Sequence, residues 1–232
     1  MPDHPVSSPA PHAHHIRVQR TARYYTLGGR PDVPATTWWF VLHGYSQLAG
    51  QFIRFFADLA ADDSCVVAPE ALNRYYIVNP EVAPSRDRPV GATWMTREDR
   101  ESEIADYVEY LDGVFDEVTG GGLADGNRVN VIGFSQGAAT ASRWIAHGRV
   151  PATRLILWGG LVPPDADLSR GPGALRNVPL TLVLGSRDHY VSDAALEEDV
   201  ARLARAGITA SVVRFDGGHA VSRTALRQLV GA

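Results

Sequence analysis

The sequence of 232 residues has a single cysteine, Cys65, so an internal disulfide is excluded. Residues 1–15 lack the continuous apolar stretch that a signal peptide or membrane span requires. Neither sign of charge is in large excess, because 22 Lys and Arg stand against 26 Asp and Glu. The net charge of -4 gives no electrostatic reason to expect nucleic acid or an anionic membrane as a partner. These absences favour a cytoplasmic protein that acts on a small molecule.

Length and composition are those of one globular domain. The chain is 45% hydrophobic and 21% charged, which is enough apolar material for a sizeable core. We expect a single domain over residues 16–232, preceded by a flexible tail over residues 1–15 whose Pro-rich composition opposes regular structure. The histidines of this tail could indicate a metal site, but without carboxylate partners they are typical of a solvated segment, and we expect no metal: His4, His12, His14 and His15.

Short apolar runs alternate with amphipathic stretches along the chain. Strands are predicted within residues 16–27 and at residues 38–42, 65–68, 129–134, 155–158, 180–184 and 209–215, with Cys65 as a buried strand residue. Helices are predicted at residues 51–61, 97–118, 136–148, 194–206 and 222–230. This alternation predicts an α/β fold with a mostly parallel, doubly wound sheet and helices on both faces.

The most specific motif is Gly133-Phe134-Ser135-Gln136-Gly137, a G-x-S-x-G pentapeptide between a predicted strand and a predicted helix. A serine at such a sharp turn exposes its hydroxyl, and the flanking glycines leave room for the crossing of strand and helix. The motif therefore predicts that Ser135 is a nucleophile rather than an ordinary turn residue.

A serine nucleophile needs a base and an acid that orients the base. Asp188 and His219 each follow a predicted strand on a loop, where a parallel sheet assembles its site. Other acids fit less well, since Asp193 is expected to cap a helix, Asp216 lies too close to His219, and Asp165 and Asp167 lie in a Pro-rich turn. Other histidines also fit less well: His43 precedes the nucleophile, His147 falls near a helix end, and His189 is expected at the rim.

Acyl transfer also needs donors for the oxygen that becomes negative. We assign the backbone N–H of Gln136, directly after the nucleophile, and that of Tyr45, in the loop His43-Gly44-Tyr45-Ser46. The stretch from residue 72 to residue 95 is irregular and aromatic, and its side chains are expected either to bind an acyl group or to seal the core. The substrate-binding candidates are Leu48, Tyr75, Tyr76, Trp94, Met95 and Val191.

The motifs Leu42-His43-Gly44-Tyr45, Gly133 to Ala138, Gly185 to Asp188 and Gly217-Gly218-His219 together resemble the phospholipase/carboxylesterase family of α/β-hydrolases. This family includes acyl-protein thioesterases and small bacterial esterases. The resemblance implies an α/β-hydrolase fold, a Ser135–Asp188–His219 triad, a short partial lid and no cofactor. Ala139 and residues 73–95 depart from the pattern.

The leading functional hypothesis is hydrolysis of carboxylic esters with short- to medium-chain acyl groups through an acyl-serine intermediate. An acyl-thioesterase or lysophospholipase would use the same triad. A hypothesis of another class is a ligand-binding protein that keeps the fold without catalysis. A homodimer is also compatible with the sequence.

Overall fold

Nine strands are formed in the described residues, which are 11–30, 32–78, 87–166 and 175–231 of the computed structural model. They are β1 (Tyr24–Gly28), β2 (Thr37–Leu42), β3 (Ser64–Pro69), β4 (Asn73–Tyr76), β5 (Val90–Thr93), β6 (Arg128–Phe134), β7 (Arg154–Trp158), β8 (Leu180–Gly185) and β9 (Ala210–Phe215).

Seven of these strands form the central sheet, in the order β1-β3-β2-β6-β7-β8-β9. All neighbours are parallel except β1, which runs antiparallel to β3. Strands β4 and β5 form a separate antiparallel pair, the β4–β5 hairpin. The mostly parallel sheet confirms the predicted α/β class, and the loops that follow its parallel strands meet at one edge.

Five α-helices cover the sheet in the described part of the chain: α1 (Ala49–Phe52), α2 (Arg100–Thr119), α3 (Gln136–His147), α4 (Asp193–Arg205) and α5 (Arg223–Val230). Both faces of the sheet are apolar and must be buried. On β2, for example, Phe40 packs in one apolar cluster and its neighbour Val41 packs in the other. Residues of α2, α3 and α4 complete the first cluster, while residues of α1 and α5 complete the second. The sheet is therefore doubly wound, as expected. Within the described residues, no helix is both long enough and apolar enough to cross a membrane.

The helix predicted at residues 51–61 is wrong in its type. Only Ala49–Phe52 is α-helical, and Ile53–Leu59 continues as a 3₁₀-helix. Because a 3₁₀-helix repeats every three residues, Ile53, Phe56 and Leu59 share the buried face. Phe55 stands at helical spacing with Phe52 and Leu59 in the sequence, but it is 41% exposed in the structure.

Four further expectations need correction. Of residues 16–27, only those from Tyr24 onward are in a strand. Residues 72–95 are less irregular than expected, because they contain the β4–β5 hairpin. Cys65 is half-buried rather than buried, because its partner on the edge strand β1 is Gly28, which has no side chain to cover it; the burial that remains raises the pKa of its thiol. Ser192, and not Asp193, caps α4, because its Oγ accepts the N–H of Ala195 at 3.2 Å.

The predicted tail is partly outside the described residues, since residues 1–10, including His4, are not described. Residues 11–15 contain no helix or strand and are exposed. The side chain of His15 reaches the start of α2, where its Nε2 lies 3.0 Å from Oδ1 of Asp99. Asp167, which we weighed as an acid, also falls outside the described residues.

Candidate active site

Ser135 occupies the sharp turn between β6 and α3. Its φ of 54° and ψ of -116° are unusual for a residue with a side chain, and such strain is typical of functional turns. A Cβ on Gly133 would lie 2.2 Å from the carbonyl oxygen of Gly137, and a Cβ on Gly137 would lie 2.2 Å from that of Leu42. Only glycine at both positions allows strand, turn and helix to approach so closely. The backbone N–H of Ser135 donates to the carbonyl of Trp158 at 2.8 Å, which ties the turn to β7.

The loops after β6, β8 and β9 bring three side chains into one row. Nε2 of His219 lies 2.9 Å from Oγ of Ser135, and Nδ1 lies 2.8 Å from Oδ2 of Asp188. In this arrangement, a neutral imidazole donates its Nδ1 proton to the carboxylate and presents Nε2 to the hydroxyl as an acceptor. The imidazole is thus placed to take a proton from the serine.

Asp188 is held by its own loop and by the loop that carries the histidine. Its side chain is only 1% exposed, and Oδ1 accepts the backbone N–H of Tyr190 at 2.8 Å. The N–H of Arg187 donates to the carbonyl of Gly217 at 2.8 Å, so the two loops are joined by backbone hydrogen bonds. The carboxylate therefore stays directed at His219.

The His219 ring is packed between two aromatic rings. The centroid of Phe134, the residue before the nucleophile, lies 4.9 Å away, and that of Tyr190 lies 4.4 Å away. Tyr190 is 81% exposed, so its outer face is open to a ligand. Tyr190 was not predicted as a site residue from the sequence, although its position two residues after Asp188 was the available signal.

His43, the alternative base, is fully buried and engaged on both ring nitrogens. Its Nε2 accepts the N–H of Ala71 at 3.0 Å, so the proton resides on Nδ1, which donates to the carbonyl of Gly44 at 2.8 Å. Burial lowers the pKa of this imidazole and keeps it neutral. His43 therefore fixes the turn after β2.

The two assigned backbone donors lie in the turn after β2 and at the start of α3. These segments are adjacent because β2 and β6 pair in parallel. Among the described residues, neither the N–H of Tyr45 nor that of Gln136 has a hydrogen-bond acceptor. Gln136 is also the first residue of a 12-residue helix, where the helix dipole favours negative charge. Both N–H groups are available to an incoming oxygen atom.

Two of the predicted substrate-binding tyrosines belong to β4. Tyr75 is half-buried, its hydroxyl lies 2.6 Å from Oγ of Ser46, and its ring centroid lies 5.5 Å from that of Tyr45. Tyr76 and Tyr45 are exposed. The hairpin therefore places aromatic surface directly beside the turn after β2.

The other predicted substrate-binding residues differ in exposure. Leu48, Met95 and Val191 are half-buried and pack against the core. Trp94 does not fit its assignment: it is 1% exposed and its Nε1 donates to the carbonyl of His43 at 2.8 Å. Its ring also borders a cavity of about 670 Å³ beside α2. The prediction that Trp94 binds substrate is therefore wrong. Trp94 is a core residue, because its ring is buried and its indole N–H already has an acceptor.

The sheet order and the strained serine turn define the α/β-hydrolase fold. The chain belongs to the phospholipase/carboxylesterase family, whose model matches residues 30–230. Membership in this family makes it a hydrolase of the phospholipase/carboxylesterase class.

Several solved structures share the fold at low sequence identity. The acyl-protein thioesterase 2 of Zea mays is 17% identical with a TM-score of 0.65, and 91% of this chain and 97% of that chain are covered. Esterase PE8 is 23% identical with a TM-score of 0.62 and the same coverage. The phospholipase/carboxylesterase of Dyadobacter fermentans is 18% identical with a TM-score of 0.61, covering 92% and 97%. No curated protein sequence matches.

Proposed function

We propose that the protein hydrolyses carboxylic esters of small molecules, with short- to medium-chain acyl groups, through an acyl-serine intermediate. Ser135 is the nucleophile, His219 the general base and Asp188 the acid that orients it. The observation that carries this proposal is the row of hydrogen bonds from Ser135 Oγ through the imidazole to Asp188, at 2.9 and 2.8 Å. Such a row is the arrangement by which a weakly nucleophilic hydroxyl is activated.

In acylation, Oγ of Ser135 attacks the carbonyl carbon while Nε2 of His219 takes the hydroxyl proton. The carbonyl electron pair moves to oxygen, and the backbone N–H groups of Tyr45 and Gln136 stabilise the resulting oxyanion. The carbon–oxygen bond to the leaving group then breaks, and the imidazolium gives its proton to the departing alcohol. The Asp188 carboxylate stabilises the imidazolium throughout.

In deacylation, water replaces the alcohol. His219 takes a proton from the water, the hydroxide adds to the acyl carbon, and collapse of the second oxyanion releases the acid. The imidazolium returns its proton to Oγ of Ser135. Every proton is carried by His219, so the proposed chemistry calls on no metal or organic cofactor.

We propose that the acyl group lies against the β4–β5 hairpin. Tyr45, Tyr75 and Tyr76 supply aromatic surface, and Leu48, Met95 and Val191 supply half-buried aliphatic surface. Apolar side chains with a few fixed polar groups are typical of a small-molecule site. The single cysteine and modest net charge also support a cytoplasmic location as part of this proposal.

Covalent labelling by a fluorophosphonate probe tests the nucleophile. We expect rapid labelling of the wild-type protein and none of Ser135→Ala, with ester turnover lowered by about a million-fold. Ser142→Ala is the matched control, because its hydroxyl is buried in the same helix and donates to the carbonyl of Ala138 at 2.9 Å. Labelling of Ser135→Ala at the wild-type rate would refute the assignment, and a wild-type protein that resists the probe would favour the non-catalytic alternative.

A substrate series then tests the proposed bond and chain length. We expect the largest kcat/KM for p-nitrophenyl esters of short to medium chain length, because the proposed acyl surface consists of half-buried apolar side chains. Acyl thioesters and lysophospholipids of matched chain length are the comparison. If kcat/KM is at least tenfold higher for thioesters or for lysophospholipids, that class replaces the carboxylic ester as the proposed substrate.

A further inference from the structure

The side chain of Gln136 hydrogen-bonds three consecutive residues at the end of the β4–β5 hairpin, Thr93, Trp94 and Met95. Its Nε2 donates to the carbonyl of Met95 at 2.8 Å and to Oγ1 of Thr93 at 2.9 Å. Its Oε1 accepts the backbone N–H of Trp94 at 3.1 Å. Because both amide protons and the oxygen have partners, the amide can adopt only this orientation. The residue whose N–H faces the proposed oxyanion is thus anchored outside its own helix.

The same hairpin also holds the turn that carries the other proposed donor. The N–H of Ser46 donates to the carbonyl of Ala92 at 3.0 Å, and the N–H of Ala92 donates to that of Gln47 at 3.2 Å. A Cβ on Gly91 would lie 2.7 Å from the backbone of Ser46, so the two segments are in close contact. The hydroxyls of Ser46 and Tyr75 add a third connection at 2.6 Å.

The turn itself is rigid between these contacts. The side-chain Oε1 of Gln47 accepts the N–H of Gly44 at 2.8 Å, and the indole of Trp94 donates to the carbonyl of His43 at 2.8 Å. The Trp94 and His43 rings lie 5.1 Å apart. Residues 91–95 therefore contact the segments on both sides of the position that the reacting oxygen would occupy.

We propose that Gln136 is a positioning residue, and that its side-chain amide uses the β4–β5 hairpin to hold the two oxyanion donors at a fixed separation. This inference rests on the proposed function, and it assigns to the side chain a role separate from that of the Gln136 backbone N–H. Donor geometry matters because an oxyanion is stabilised only by N–H groups already aimed at it. The hairpin thereby joins the acyl-binding surface and the oxyanion site into one unit.

Gln136→Met tests this role, because methionine keeps the length of the side chain and removes these hydrogen bonds while the backbone N–H stays. We expect kcat for a short-chain p-nitrophenyl ester to fall by about 10- to 100-fold, the effect of a small misplacement of reacting groups, with KM within twofold. Gln51→Met is the matched control, since Gln51 is exposed on α1. A rise in KM at unchanged kcat would overturn the proposal, because it would indicate loss of ordinary binding.

A trifluoromethyl ketone gives a readout that a purely structural role would not change. Oγ of Ser135 adds to its carbonyl carbon, the serine proton passes to His219, and the carbonyl oxygen becomes a stable oxyanion. We expect its Ki to rise in Gln136→Met by the same factor by which kcat/KM falls. An unchanged Ki would overturn the proposal. A wild-type protein that neither hydrolyses esters nor binds the ketone would instead refute the proposed function as a whole.

Thr93→Val provides a second variant that tests the same contact from the hairpin side. It removes the hydroxyl that accepts from Gln136 and donates to the carbonyl of Met95 at 2.9 Å. We expect a smaller fall in kcat, again with KM nearly unchanged. The double variant should lose no more kcat than Gln136→Met alone, because both changes break the same hydrogen-bond network. Fully multiplicative losses would overturn the proposal. If Gln136→Met does not fold, the kcat, KM and Ki tests are made with Thr93→Val. Its control is Thr119→Val, because the Thr119 hydroxyl donates to the carbonyl of Phe115 at 2.8 Å at the end of α2.

Discussion

Asp188 and His219 meet at 2.8 Å across two loops that follow neighbouring strands. The carboxylate is almost completely buried, and its second oxygen is engaged by the backbone N–H of Tyr190 at 2.8 Å. Its orientation is therefore determined by the loops.

Asp188→Asn preserves the shape of the side chain and removes its charge. We expect kcat to fall by about 10⁴-fold, because a carboxamide neither stabilises the imidazolium nor selects the tautomer with an unprotonated Nε2. Asp216→Asn is the control, since Asp216 is exposed in the same loop as His219 and pairs with Arg187. Retention of more than a tenth of wild-type kcat by Asp188→Asn would contradict the role of this acid.

Gly185→Ala should separate the two loops that carry the acid and the base. The added Cβ would lie 2.4 Å from the carbonyl oxygens of Gly217 and Gly218, so the backbone must move. We expect a lower Tm together with loss of esterase activity, measured by thermal unfolding and by kcat/KM. The contrast is Gly113→Ala, which is exposed in α2 and where a new Cβ would meet no atom within 4 Å beyond its own helical backbone. It should raise the free energy of unfolding by about 0.5–1 kcal/mol.

Phe55 and Phe56 should differ sharply in their contribution to stability. Phe56 is fully buried, and we expect Phe56→Ala to lower the free energy of unfolding by about 3–5 kcal/mol. Phe55→Ala should cost less than about 1 kcal/mol, because this ring is 41% exposed. Urea unfolding of both variants measures the difference. Equal costs would show that residues 53–59 follow the α-helical period in solution.

The ion pair of Arg143 with Asp165 predicts a stability that depends on pH. Two of the three guanidinium nitrogens, Nη2 and Nε, donate to the carboxylate at 2.9 and 3.0 Å, and this bonding holds the pKa of Asp165 well below its usual range. A depressed pKa stabilises the fold above the unfolded value of about 3.9 and ceases to do so as pH falls through the folded value. Asp165→Asn should therefore be less stable than wild type at neutral pH.

The expected cost at pH 7 is about 1–2 kcal/mol, because Arg143 is left buried without its carboxylate and the partly exposed Asp165 is screened by solvent. Urea unfolding at pH 7, at pH 5 and below pH 4 should show the same difference at the first two values and a smaller one in acid. Asp32→Asn, which removes an exposed partner of Arg30, should change stability by less than about 0.5 kcal/mol. A difference that grows in acid would contradict this account.

The sequence predicted the parallel sheet and the loops that carry Ser135, Asp188 and His219, because these depend on local patterns. Each of the strands β6, β8 and β9 is a short apolar run, and Ser135, Asp188 and His219 each follow the end of one of them. Parallel strands then bring those ends to one edge, so residues 84 positions apart become neighbours without any knowledge of side-chain packing.

Sequence patterns did not predict features that depend on tertiary contacts. The exposure of Phe55 follows from a 3₁₀ period that the spacing of phenylalanines does not distinguish from an α-helix. Trp94 is buried because its N–H reaches the carbonyl of His43, 51 residues earlier in the chain. The bonds of the Gln136 side chain likewise require the position of the hairpin.

His43 cannot replace His219 if that ring is lost, although both follow strands that end at the same edge of the sheet. Its Nε2 lone pair is occupied by the N–H of Ala71, and its Nδ1 proton is occupied by the carbonyl of Gly44. Accepting a proton on Nε2 would place this N–H opposite the N–H of Ala71 in a fully buried position. Removal of the imidazole at position 219 therefore leaves Ser135 without a general base, and His43 cannot supply one.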